Sequence, residues 1–79
     1  MTSISTTLQL GIELKKARKK IGLTQSELAL AAGVGLRFMV ELEAGKSTLS
    51  LGHVLKVIQA LGGTFAIDGL ATESSPLTR

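Results

Sequence analysis

Five of the nine basic residues fall within Lys15-Lys16-Ala17-Arg18-Lys19-Lys20. Such a cluster offers cations to phosphate oxygens. It equally suits the end of an amphipathic helix, where cations complement the macrodipole and keep the outer face wet. Both readings stay open on the cluster alone. Groups for covalent or acid–base chemistry are scarce. There is no cysteine, hence no disulfide, no thiolate metal site and no cysteine nucleophile. The single histidine, His53, has no metal-ligand spacing and no serine–acid pair around it, and reads as a surface or capping residue. The carboxylates show no paired arrangement, and Gly33-Val34-Gly35 is too short to cradle phosphates as a P-loop. The chain is therefore not expected to be an enzyme or to carry a cofactor or metal.

The stretch from Thr24 to Glu43 has the clearest local order. Thr24-Gln25-Ser26-Glu27 has the Thr-x-x-Glu form of a capping box, so a helix should start there. Leu28, Ala29, Ala31 and Ala32 give that helix an apolar face, and Gly33 ends it in a left-handed cap. After Val34 and Gly35 the chain resumes helical character over Arg37 to Glu43, with Met39 and Leu42 pointing inward, until Gly45. Two short helices around a glycine-containing turn fit the helix-turn-helix plan, whose second helix can enter the DNA major groove. The same stretch also reads as an ordinary helical corner in a small all-α protein.

The remaining elements must bury these two helices. A chain of 79 residues is one domain with a modest core. Hydrophobic residues make up 44% but aromatics only 3%, so the core is built from Leu, Ile, Val, Ala and Met. A first helix is expected over about Leu8 to Ile21, capped by Thr6 or Thr7, with Leu10, Leu14, Ala17 and Ile21 on one face. A last helix runs from Leu51 to about Leu61 behind an N-cap at Ser50. Its inward stripe is Leu51, Val54, Leu55, Ile58 and Leu61, while Leu49, Val57 and Ala60 add apolar surface off it. Thr64-Phe65-Ala66-Ile67-Asp68 then gives a short strand signal with no partner strand in the chain, which points to pairing with a second copy. Gly69 to Arg79 shows no periodicity and reads as a disordered tail.

No apolar run reaches the roughly 18 residues that span a bilayer, and no signal segment opens the chain, so a cytoplasmic protein with no membrane partner is expected. The net charge of +3 permits a nucleic-acid partner without demanding one.

Taken in order, Leu23-Thr24-Gln25-Ser26-Glu27-Leu28-Ala29, Ala32-Gly33-Val34, Glu41-Leu42-Glu43-Ala44-Gly45-Lys46, Ser50-Leu51 and Ala60-Leu61-Gly62 resemble the Cro/cI-type (XRE-like) helix-turn-helix family. The likeness covers about Leu10 to Gly62. With the short strand after the last helix, it is most similar to HipB-type antitoxins, which repress their own operon as dimers and bind a HipA-type kinase toxin. The resemblance implies an all-α, lambda-repressor-like bundle of four to five short helices, plus one short C-terminal β-strand paired across a dimer. Its implied divisions are a flexible N-terminus over 1–7, a DNA-binding domain over 8–62, a dimerisation strand over 63–68 and a disordered tail over 69–79.

It also implies partners and sites: double-stranded DNA carrying a pseudo-palindromic operator, a second copy, and a HipA-like kinase. Thr24 and Gln25 would meet phosphate, where helix N–H groups and an amide donor suit it. Gly35, Leu36, Arg37, Phe38, Val40, Glu41 and Lys46 would face DNA, with Arg37 able to bind guanine O6 and N7 and with Leu36 and Val40 able to touch thymine methyls. Phe38 would lie on the DNA backbone or a thymine, or pack on the second helix. Glu41 would accept from a cytosine N4 or serve a structural or solvent-facing role. Arg18 and Glu43 would form a salt bridge, with phosphate contact a second role for Arg18. Thr64, Phe65, Ala66 and Ile67 would pair across the dimer. The apolar reading face departs from the polar one common in this family, which shifts weight to shape readout. It also supports an alternative: an interaction module that holds a partner protein with weak or lost DNA binding.

Overall fold

Each helix starts where a residue can satisfy or spare its first amides, and each ends at a glycine. The computed structural model describes residues 3–67 and 69. It contains α1 (Thr7–Lys20), α2 (Gln25–Ala32), α3 (Leu36–Glu43) and α4 (Leu51–Ala60). Thr6 caps α1, its side chain accepting from the Gln9 N–H, and Ser50 caps α4 through the His53 N–H. Thr24 and Glu27 close both halves of the capping box on α2. Gly35 starts α3 without a side-chain cap. At the corner between α2 and α3, Gly33 takes φ +73°, and the Val34 N–H returns to the Ala29 carbonyl at 3.0 Å. This loop-back satisfies carbonyls that a helix end leaves open and turns the chain.

Leu14, Leu28, Ala29, Met39, Leu42, Val54 and Val57 form the core. In the fold α3 packs on both α1 and α2, and α2 also packs on α4. Gly11 makes the α1–α3 contact close: a Cβ there would lie 2.5 Å from the Leu42 carbonyl oxygen and 2.7 Å from that of Glu43. The Thr7 hydroxyl donates to the Gly45 carbonyl at 2.9 Å, pinning the start of α1 to the end of α3.

Several expectations change. Four helices are present among the described residues, at the lower of the two expected counts. Ile21 is 54% exposed: it is the C-cap of α1, one residue past the last helical residue. Val57, expected off the α4 stripe, is fully buried, while Leu51 is 59% exposed. The inward face of α4 is thus centred on Val54 and Val57, one helical turn apart. Ala31 is exposed on α2. Thr64–Ile67 carries no strand: a ladder needs a second strand, and the described residues supply none. Asp68 and, apart from Gly69, the expected tail lie outside the described residues, as do Met1 and Thr2.

Candidate nucleic-acid interface

The rigid part of the site begins with a buried charge pair. Arg18 and Glu43 are each 7% exposed. Arg18 Nε donates to Glu43 Oε2 at 2.7 Å and Nη2 to Oε1 at 2.9 Å, while Nη1 donates to the Leu23 carbonyl at 2.7 Å. Gln25 Nε2 adds a fourth bond, to Glu43 Oε1 at 3.0 Å. One carboxylate therefore ties the end of α1, the start of α2 and the end of α3 together. Among the described residues no buried side-chain polar atom lacks a partner. Burial alone pushes the Glu43 carboxyl up, but donation from Arg18 and Gln25 outweighs it and holds the group below the usual carboxylate range. The hydrogen bond with Glu43 raises Arg18 in turn, against the cost of its burial.

The geometry redistributes the expected contacts. Arg18 is spent on the interior, with little surface left for a phosphate. The Gln25 amide nitrogen is held by Glu43, which fixes the side chain at the α2 entrance. The Thr24 hydroxyl is committed to the Glu27 N–H at 3.1 Å. Lys15, Lys16, Lys19 and Lys20 stay at the surface, with Lys16 3.4 Å from Glu13.

Along α3, Met39, Leu42 and Glu43 turn inward and leave Leu36, Arg37 and Val40 exposed on one edge. Gly35 is exposed at the head of that edge. Phe38 turns the other way: it is half-buried against the core, and its ring lies 5.4 Å from the His53 ring of α4. Phe38 thus packs against the core, with its ring beside α4. His53 itself is exposed.

Glu41 does not stand alone on the exposed edge. Its Oε2 lies 3.4 Å from Arg37 Nε and 3.3 Å from Lys46 Nζ. The hydrogen bond with Lys46, then that with Arg37, lowers its carboxyl from the usual value. The sequence reading missed this trio, the Gln25–Glu43 bond and the role of Gly11. A glycine inside an otherwise regular helical pattern was the available signal for Gly11.

A fixed α2, a glycine corner and a second helix with one buried and one open edge are the plan of helix-turn-helix DNA-binding regulators. The helix-turn-helix family model matches residues 14–67, and the chain belongs to this family, in its Cro/cI-type (XRE-like) branch: it is a DNA-binding transcriptional regulator. In sequence it is 52% identical over 68 residues to the uncharacterised HTH-type transcriptional regulator y4mF of Sinorhizobium fredii (strain NBRC 101917 / NGR234), spanning 86% of this chain and 87% of that one. In structure it is similar to HipB in a HipB-O4 20mer complex, with a TM-score of 0.80, 25% identity, and coverage of 90% of this chain and 100% of HipB. HipB in a HipA-HipB-O2-O3 complex gives the same values. The restriction-modification controller protein C.AhdI from Aeromonas hydrophila matches at a TM-score of 0.67 and 30% identity, over 72% of this chain and 86% of that one. Among the described residues no helix is long and apolar enough to cross a membrane, and no group of three or more His, Cys, Asp or Glu could hold a metal ion.

Proposed function

We propose that this regulator is a dimeric, sequence-specific repressor of its own operon and the antitoxin of a HipBA-like pair, binding a HipA-like kinase toxin. The observation that carries the DNA reading is the open edge of α3, where Leu36, Arg37 and Val40 project beside a scaffold locked by Arg18 and Glu43. The likeness to HipB over 90% of the chain supports the antitoxin assignment. In this reading α3 lies in the major groove, Arg37 takes a guanine, and Gly35, Leu36 and Val40 give apolar contact. The α2 entrance at Thr24 and Gln25 and the α3 exit at Lys46 flank it on phosphates.

A second copy completes the reader. Phe65 and Ile67 are exposed, and Phe65 lines a groove of about 320 Å³ with Leu55, Ile58, Gln59, Gly63 and Thr64. Strand pairing of Thr64–Ile67 with its copy would cover this apolar surface and place two reading helices on half-sites about 34 Å apart.

The test is titration of the purified chain onto its own promoter and onto a scrambled duplex at two salt concentrations, with Arg37→Ala alongside. We expect binding to the promoter well above scrambled DNA, with selectivity reduced by Arg37→Ala. Equal, strongly salt-dependent binding to both duplexes would overturn sequence reading. The apolar side chains of Leu36 and Val40 favour a second reading in that event: a module that holds a partner protein.

A further inference from the structure

The most exposed cation of the reading edge is held by a neighbour. The Arg37 side chain is 90% exposed, yet its Nε sits 3.4 Å from a carboxylate. An arginine on an open helix face has many rotamers and binds any phosphate oxygen as readily as a base edge. A carboxylate one turn along removes part of that freedom, because residues four apart on a helix lie one above the other. Here it engages Nε, and among the described residues nothing else engages Arg37, so both terminal nitrogens remain for a two-pronged bond to guanine.

The carboxylate is itself anchored. At the end of α3, Gly45 takes φ +88°, and the Lys46 N–H returns to the Glu41 carbonyl at 3.0 Å. This closing turn brings the Lys46 side chain back to the Glu41 carboxylate, 3.3 Å away. Glu41 is half-buried between the two cations. The trio carries a net charge of +1, so it does not repel a phosphate backbone as a lone carboxylate would.

We infer that Glu41 is a positioning residue for sequence readout: it aims the Arg37 fork at a base and withholds Arg37 from indiscriminate phosphate contact. The inference rests on the reading that the open edge of α3 enters the major groove. Glu41 then increases specificity while lowering affinity for random DNA, so its loss moves the two in opposite senses. A merely structural residue would weaken both.

The experiment is selection from a randomised duplex pool by the full chain, by Glu41→Gln and by Arg37→Ala, followed by titration of the selected and scrambled duplexes. Gln keeps the shape and removes the charge. The wild type should select a motif containing a guanine whose preference Arg37→Ala abolishes. Glu41→Gln should reduce the preference at that same position by about three- to tenfold. It should leave the other positions intact and bind scrambled DNA about two- to fivefold more tightly at low salt. An unchanged motif with Glu41→Gln, or a loss spread evenly over all positions, would overturn the role of Glu41. Failure of the wild type to select any motif would overturn the DNA-reading assignment beneath it, and the two failures are told apart by that control.

Discussion

The Arg18–Glu43 pair is the residue on which most of the fold's polar interior depends. With both partners below a tenth exposed, removing one leaves the other as a buried, uncompensated charge. Glu43→Leu or Arg18→Met should therefore cost about 3 to 5 kcal/mol, while the two apolar replacements together should cost less than either single change. Urea denaturation of the three variants measures this. The pair also sets an acid limit. Glu43 holds its charge to lower pH in the fold than the unfolded chain does, so between the two values the unfolded chain binds more protons. Its contribution is complete above the ordinary glutamate range, at about 4.3, and is lost as pH falls through the depressed folded value. The urea midpoint of the wild type should fall below that range, and less steeply in the double variant. Residue types alone could not reveal this pair, since its members lie far apart in sequence; the family resemblance did. The Glu41 trio was illegible for a similar reason: Lys46 reaches Glu41 only because the chain folds back at Gly45.

Helix starts and stops were the legible part at the scale of elements. Thr24 with Glu27, Ser50, Gly33 and Gly45 carry local chemistry that needs no distant partner, and each is used as its type suggests. Facing is a different matter. Leu51 and Val57 are both apolar, and which one is buried depends on how α4 lies on α2, which local spacing does not specify. Gly11 illustrates the same limit. By helix propensity alone, Gly11→Ala should stabilise α1 by up to about 1 kcal/mol. The added carbon would instead meet two backbone carbonyls of α3, neither of which can swing aside. We expect Gly11→Ala to lower stability by about 1 to 3 kcal/mol. Gly52→Ala, where the new carbon meets only the Ser50 hydroxyl at 3.7 Å, should raise it by about 0.4 to 1 kcal/mol. Opposite shifts in thermal midpoint for the two glycines would verify that contact with α3, rather than helix propensity, decides the first.

For the whole molecule, the order of helices was readable because each is signalled locally, whereas the strand expected over Thr64–Ile67 is absent from the single chain, and in the proposed dimer it would need a second copy. Truncation after Gly63 should weaken self-association and operator binding together; unchanged sedimentation of the truncated chain would remove Thr64–Ile67 from the dimer. The core itself should survive that cut, since none of its seven buried residues lies beyond Val57. The way α3 is mounted has one more consequence. Three inward residues, Met39, Leu42 and Glu43, are buried, while Leu36, Arg37 and Val40 are exposed. In the proposed DNA reading, anchoring and reading therefore fall to different positions of the same eight-residue helix. On that reading the outer positions would form an exchangeable cassette: lineages could rewrite them, or an engineer could graft another set, and acquire a new operator without relearning how to fold.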